Sequence, residues 1–136
     1  MRFDGVLLLM AALASGAADL NDARNVAAEI ARTDATEREA AILVVTAFEE
    51  SRFTADKVSG DHLDRCAYQL RYAPRTVTSD LRQCTEIALV RIRISARKCP
   101  SYPLSDYASG SCNLAHAISR YRMAEADRIL RSVSGA

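Results

Sequence analysis

Two adjacent carboxylates, Glu49 and Glu50, close a long apolar run of the chain, "AAILVVTAF" over residues 40–48. If that run is a helix, its exposed terminal carbonyls already make the local potential negative, so acids there are locally unfavourable. The placement has a chemical use. A helix C-terminus and an apolar neighbourhood both favour a protonated carboxyl, and repulsion between the two glutamates pushes one of them further toward neutrality. A neutral carboxyl is a general acid, and donating a proton to a leaving oxygen is the step that cleavage of a glycosidic bond requires. Successive helical residues differ by about 100° in direction, so only one of the pair can face a given cleft. Taken alone, the same letters are better read as two solvated glutamates at a frayed helix end.

Other chemistries have less to work with. Cys66, Cys84, Cys99 and Cys112 include no C-x-x-C pair and no histidine at zinc-ligand spacing, while His62 and His116 lack ligand-spaced partners, so no metal or cofactor is expected. No serine or cysteine has a recognisable base beside it. Disulfides are the better reading of four cysteines. Sequence allows three pairings, of which Cys66–Cys84 and Cys99–Cys112 are preferred because each clips a loop to its neighbouring helix; four small buried thiols are the alternative. With 18 basic and 17 acidic residues the chain has a net charge of +1, and the arginines at 91, 93, 97, 120, 122, 128 and 131 read as a solvated surface. Nucleic acid is not an expected partner.

The elements that must position the glutamates are nearly all helical. At 136 residues, 49% of them apolar, the chain can bury one core and is too short for two ordinary domains. Residues 1–18 carry one arginine, an apolar stretch over 6–14 and small residues to Ala18, the pattern of a signal peptide or of a retained, packed helix; the run is too short to span a bilayer, and it touches a membrane only if kept as an anchor. Residues 19–136 form the remaining domain. Val26, Ala27, Ile30 and Ala31 lie at helical spacing within 21–33, and Thr36 with Glu39 reads as a capping box opening the acidic helix. Periodicity fails over 53–74, where a long loop or small hairpin is expected. A helix over about 78–97 carries Leu81, Cys84, Ile87, Ala88 and Val90. A second loop with a short helical turn before Gly110 follows, and a last helix over about 114–133 turns Leu114, Ala117, Ile118, Tyr121, Ile129 and Leu130 inward. The fold class is mainly α, with a long loop or small β-hairpin after the acidic helix.

Three segments then carry a resemblance. "ESRF" at 50–53, "CAYQL" at 66–70 and "YASG" at 107–110 resemble, in order, the signature segments of the lytic transglycosylase and goose-type lysozyme superfamily: Glu-Ser-x-Phe at a helix end, roughly Gly-Leu-Met-Gln-Ile/Leu, and Tyr-Asn-Ala-Gly. The likeness covers about residues 39–110, and each motif alone is weak. It implies a lysozyme-like single domain in which Glu50 is the catalytic acid. Ser51 would help hold the sugar or the carboxyl, and Gln69 would bond substrate amides. The Tyr107 hydroxyl would orient the carboxyl, and Gly110 would let the chain pass closely. Phe53 reads as a core anchor for the helix end. Tyr68 stands where the family has methionine and reads either as a sugar-stacking ring or as a half-buried hairpin residue. Cys66 and Ala67 in place of Gly-Leu imply a different backbone path, and Ala108 removes the family's asparagine.

The resemblance implies cleavage of the β-1,4 bond between N-acetylmuramic acid and N-acetylglucosamine in peptidoglycan. A hydrolase needs a second carboxylate. Among Asp56, Asp61 and Asp64 none aligns with such a partner, so a transglycosylase using Glu50 as acid and then base is expected, with a hydrolytic lysozyme next. A peptidoglycan-binding or structural domain of the same fold is the non-catalytic alternative. The expected partner is the glycan strand, with a possible assembly partner in a phage particle or secretion machine, and the expected location is extracytoplasmic or on a virion.

Overall fold

The computed structural model describes residues 1–13 and 19–134; the expected continuation of the apolar N-terminal segment through 14–18 lies outside them. The chain is mainly helical with a two-stranded hairpin, as the patterning implied. At its centre is α3 (Glu37–Ser51), whose residues from Ala40 to Phe48 are all buried. A helix apolar on every side must be wrapped by others. Here α1 (Phe3–Leu13), α2 (Leu20–Arg32), α5 (Leu81–Lys98) and α7 (His116–Ser134) supply that wrapping. The short N-terminal helix α1 sets Val6, Leu9 and Met10 into the same core, against α2, α3 and α7. Stripping it away would uncover the faces of α2, α3 and α7 that it packs against.

Local signals fix the starts of the helices. Asp19 caps α2 by accepting from the amides of Asn21 and Asp22. The capping box on α3 forms as its spacing predicts, Glu39 N–H donating to Thr36 Oγ1 and Thr36 N–H to Glu39 Oε1. Asp80 caps α5 through the Arg82 amide. α3 ends when Arg52 and then Phe53 turn left-handed, with Phe53 N–H returning to the Ala47 carbonyl. Phe53 is fully buried against Phe48, the anchoring role its position implied. Beyond it, β1 (Asp64–Arg65) pairs antiparallel with β2 (Leu70–Arg71), Asp64 opposite Arg71 and Arg65 opposite Leu70. A one-turn helix, α4 (Arg75–Thr78), follows on Pro74, where the sequence pattern predicts only loop. The second loop holds α6 (Ser105–Ser109), ended by Gly110 at φ 79°.

Three expectations are corrected. Leu114, Ala117, Ile118 and Tyr121 are exposed rather than inward, and Val90 on α5 is exposed too. The inward stripe of α7 is instead Ser119, Arg122, Met123, Ala126, Ile129 and Leu130, because the end of α7 nearest the acidic helix terminus meets polar rather than apolar groups. Arg122 is therefore no surface arginine: its side chain is only 11% exposed. The cysteines divide. Cys99 and Cys112 form the expected disulfide, closing a loop around α6. Cys66 and Cys84 are free buried thiols in contact with each other; the contact with Cys66 and burial raise the Cys84 thiol, whose Sγ points to the Val77 carbonyl at 3.8 Å. No helix among the described residues is long and apolar enough to cross a membrane.

Candidate active site

A cleft of about 580 Å³ opens between the C-terminal end of α3, the hairpin, α5 and α6. Four residues singled out by the sequence reach it: Glu50 from α3, Gln69 from the hairpin, and Tyr107 and Gly110 from α6 and its cap. These positions are up to 60 residues apart in the chain. They meet because the Tyr107 hydroxyl donates to the Tyr68 carbonyl at 2.9 Å while its amide donates to Ser95 Oγ on α5 at 3.0 Å, strapping α6 across to the hairpin. Burial first, then the neighbouring Glu50 charge, push the Tyr107 hydroxyl well above its ordinary range, so it acts as a neutral donor.

Cations from elsewhere in the chain relieve the acidic helix end. Lys57 Nζ donates to the Glu50 backbone carbonyl at 2.9 Å, one of the orphan carbonyls at the end of α3. Arg122 Nη2 donates to Glu50 Oε1 at 2.7 Å. The sequence pointed to a carboxyl set by the helix end and an apolar neighbourhood; the structure instead gives it a paired arginine. Arg122 fixes one carboxyl oxygen, while Oε2 carries no hydrogen bond among the described residues. Arg122 Nη1, buried and without a partner, has nowhere else to turn, so the guanidinium is dedicated to this contact. Glu49 is half-buried and does not line the cleft.

The remaining assignments change. Ser51 is buried, donates to the Ala47 and Ala67 carbonyls and accepts from the Thr54 amide; it ties the helix end to the hairpin and touches neither the cleft nor the Glu50 carboxyl. Tyr68 is fully buried, its hydroxyl accepting from Thr85 Oγ1 at 3.1 Å, so it cannot stack on a sugar. Burial raises its pKa to a direction well above the usual phenol range, as befits a core tyrosine. The Tyr107 hydroxyl orients the hairpin rather than the Glu50 carboxyl. Gly110 meets nothing within 4 Å of where a Cβ would sit, so its left-handed φ, and not a close approach of chain, is what calls for glycine. The Gln69 side-chain amide donates to the Lys57 and Cys66 carbonyls, which fixes its rotamer at the cleft wall.

Sequence reasoning missed Tyr72 and Arg91, both of which line the cleft. Tyr72 is 74% exposed, with the Arg71 guanidinium 5.3 Å from its ring centroid on one side. Asp64 also lines the cleft and is bonded by Arg71, whereas Asp56 and Asp61 do not line it. Backbone strain gathers between the end of α3 and the hairpin, where Arg52, Phe53, His62, Cys66, Gln69 and Tyr72 all take positive φ without being glycine; of these, Gln69 and Tyr72 line the cleft. Such residues persist only where the surroundings over-determine them, and they collect at functional sites. Among the described residues no group of three His, Cys, Asp or Glu side chains gathers that could hold a metal ion. No protein-family model, curated protein or solved structure matches the chain.

Proposed function

We propose that the chain cleaves the N-acetylmuramic acid–N-acetylglucosamine bond of peptidoglycan as a lytic transglycosylase, with Glu50 as acid and then base. The observation that carries this reading is the meeting of Glu50, Gln69, Tyr107 and Gly110 on one cleft, as the resemblance of their three segments requires. The resting carboxylate is ion-paired with Arg122, so Glu50 must take up a proton before it acts; it then passes that proton to the glycosidic oxygen as the C1–O bond breaks and the bonding pair leaves with that oxygen. The resulting carboxylate takes the proton of the muramoyl 6-hydroxyl while that oxygen attacks C1, closing a 1,6-anhydro ring. No water is consumed, and Glu50 ends protonated as it began. Arg122 holds Oε1 and stabilises the carboxylate formed between the two half-reactions, leaving Oε2 to face the sugar.

A hydrolytic reading has one observation in its favour: Asp64, on the strand facing the cleft, shares the lining with Glu50. The disulfide fits an oxidising compartment, consistent with a periplasmic, secreted or virion-borne protein. The test is mass spectrometry of the soluble products released from purified peptidoglycan by the protein and by its Glu50→Gln and Glu49→Gln variants. Anhydro-muramoyl ends that vanish with Glu50→Gln and persist with Glu49→Gln are expected. Reducing ends would move the assignment to a lysozyme with Asp64 as second carboxylate. Equal loss in both variants would reject Glu50 as the acid, and folded protein releasing nothing would leave a binding or structural domain.

A further inference from the structure

The charges lining the cleft are compensated with one exception. Glu50 is paired with Arg122 at 2.7 Å, Asp64 with Arg71 at 3.2 Å and Asp106 with Lys98 at 3.0 Å, and Arg71 is paired as well with Asp61 at 3.4 Å. Arg91 lines the same cleft and has no carboxylate within 4.0 Å among the described residues. Its side chain is not loose. Arg91 is half-buried on α5, and one of its terminal nitrogens, Nη1, donates to the Arg71 backbone carbonyl at 3.0 Å, which pins the guanidinium beside the second hairpin strand. The rest of a planar donor fork is thereby oriented and left without an anionic partner. Tyr72, exposed on the same lip, leaves room for a chain to lie across it.

Resting on the reading of the cleft as a peptidoglycan site, we propose that Arg91 is its carboxylate-recognition residue, binding an acid group carried by the glycan strand. A fixed guanidinium fork suits a carboxylate, which it meets with two parallel N–H···O bonds. Peptidoglycan offers such groups from two sources. In a strand stripped of its peptides, each muramic acid bears a free lactyl carboxylate. In an intact strand that carboxyl is tied up as an amide, and the carboxylates belong to the stem peptide. Both present the same chemistry to Arg91, and neither exists on a strand of N-acetylglucosamine alone.

The test compares binding and cleavage of three soluble ligands: peptide-bearing glycan fragments, the same fragments after amidase stripping, and an N-acetylglucosamine oligomer of equal length. Titration calorimetry gives Kd for all three ligands, and product release gives kcat/KM for the two that contain muramic acid, for the full chain and its Arg91→Gln and Arg91→Lys variants. The wild type is expected to favour at least one carboxylate-bearing ligand over the uncharged oligomer by about ten- to a hundredfold, the worth of a charge-assisted hydrogen bond pair. In Arg91→Gln that ratio is expected to collapse toward one through KM and Kd rather than kcat, with Arg91→Lys intermediate because it keeps the charge and a donor for the Arg71 carbonyl. Dependence seen with stripped strands assigns the lactyl group, and dependence seen only with intact strands assigns the stem. An unchanged ratio in a folded Arg91→Gln protein overturns the proposal while leaving the cleavage reading intact. Binding without turnover, with the ratio still lost, would sink the cleavage reading and uphold Arg91. No binding of any of the three would overturn both.

Discussion

Replacing a catalytic acid commonly leaves a protein more stable, since active sites are strained. Glu50→Ala, at the acid of the proposed reaction, is expected to do the reverse. Its carboxylate is the counter-charge of Arg122, 2.7 Å away, with the arginine side chain 11% exposed and the glutamate 25% exposed. Removing one partner of a fully buried pair costs roughly 3–5 kcal/mol because the other charge is stranded. This pair is partly solvated, so a cost of about 2–3 kcal/mol is the better scale. Against it stands the relief of taking an acid off the negative end of α3, roughly 0.5 kcal/mol. The net loss is about 2 kcal/mol, which for a chain of this length lowers Tm by roughly 6–10 °C. Glu50→Gln keeps an acceptor for Arg122 and should lose less, which makes it the better probe of chemistry. Arg122→Met strands only the more exposed carboxylate and should cost about 1 kcal/mol. Urea unfolding of the two single variants, Glu50→Ala and Arg122→Met, and of the double variant closes a thermodynamic cycle. A coupling of about 1.5–3 kcal/mol is expected. A neutral or stabilising Glu50→Ala, or a coupling within about 0.5 kcal/mol of zero, would refute the claim that the two side chains depend on each other.

Two further outcomes can be read directly. Glu39, bonded first by the Arg93 guanidinium and also by the Thr36 amide, is held at about 2 instead of 4.5, so its stabilising contribution is complete above pH 4.5 and is lost as pH falls toward about 2. Acid unfolding followed by circular dichroism should flatten across that window in Glu39→Gln; an unchanged slope would exclude the Arg93 pair as a source of acid sensitivity. Thiol titration should find essentially no reactive cysteine in the native protein, two after unfolding and four after reduction, matching one disulfide and two buried thiols. Finding none after unfolding would mean that Cys66 and Cys84 are joined after all.

What the sequence made legible was what neighbours along the chain decide. The Thr36–Glu39 capping box depends on residues within a turn of each other, as does the short turn closed by Gly110. The segments bearing Glu50, Gln69 and Tyr107 could be ordered by resemblance, yet nothing local said that the Tyr107 hydroxyl would spend itself on the Tyr68 carbonyl. Period alone misled at α7. Leu114, Ile118 and Tyr121 have helical spacing, but the face that turns inward is set by Glu50, 72 residues away, which draws Arg122 to it. Arg91 had no distinguishing signal among the arginines around it, since its meaning lies in the pairings its neighbours make and it does not. Tyr68 and Tyr72 are both tyrosines of one hairpin, and only the turn of the backbone at Gln69 and Tyr72 decides which of them faces outward.

The left-handed residues of the cleft wall bear on how this protein could be altered over generations or at the bench. At Tyr72, whose side chain is exposed and whose φ is positive, glycine would relax the backbone by roughly 1–2 kcal/mol, whereas at Gln69 the same exchange would forfeit the two hydrogen bonds of its side-chain amide. Selection for heat resistance alone would therefore drift toward glycine at Tyr72, removing a side chain that lines the cleft. Lineages that keep a bulky residue there are forgoing a gain in robustness, and only a benefit from that side chain can hold the choice in place.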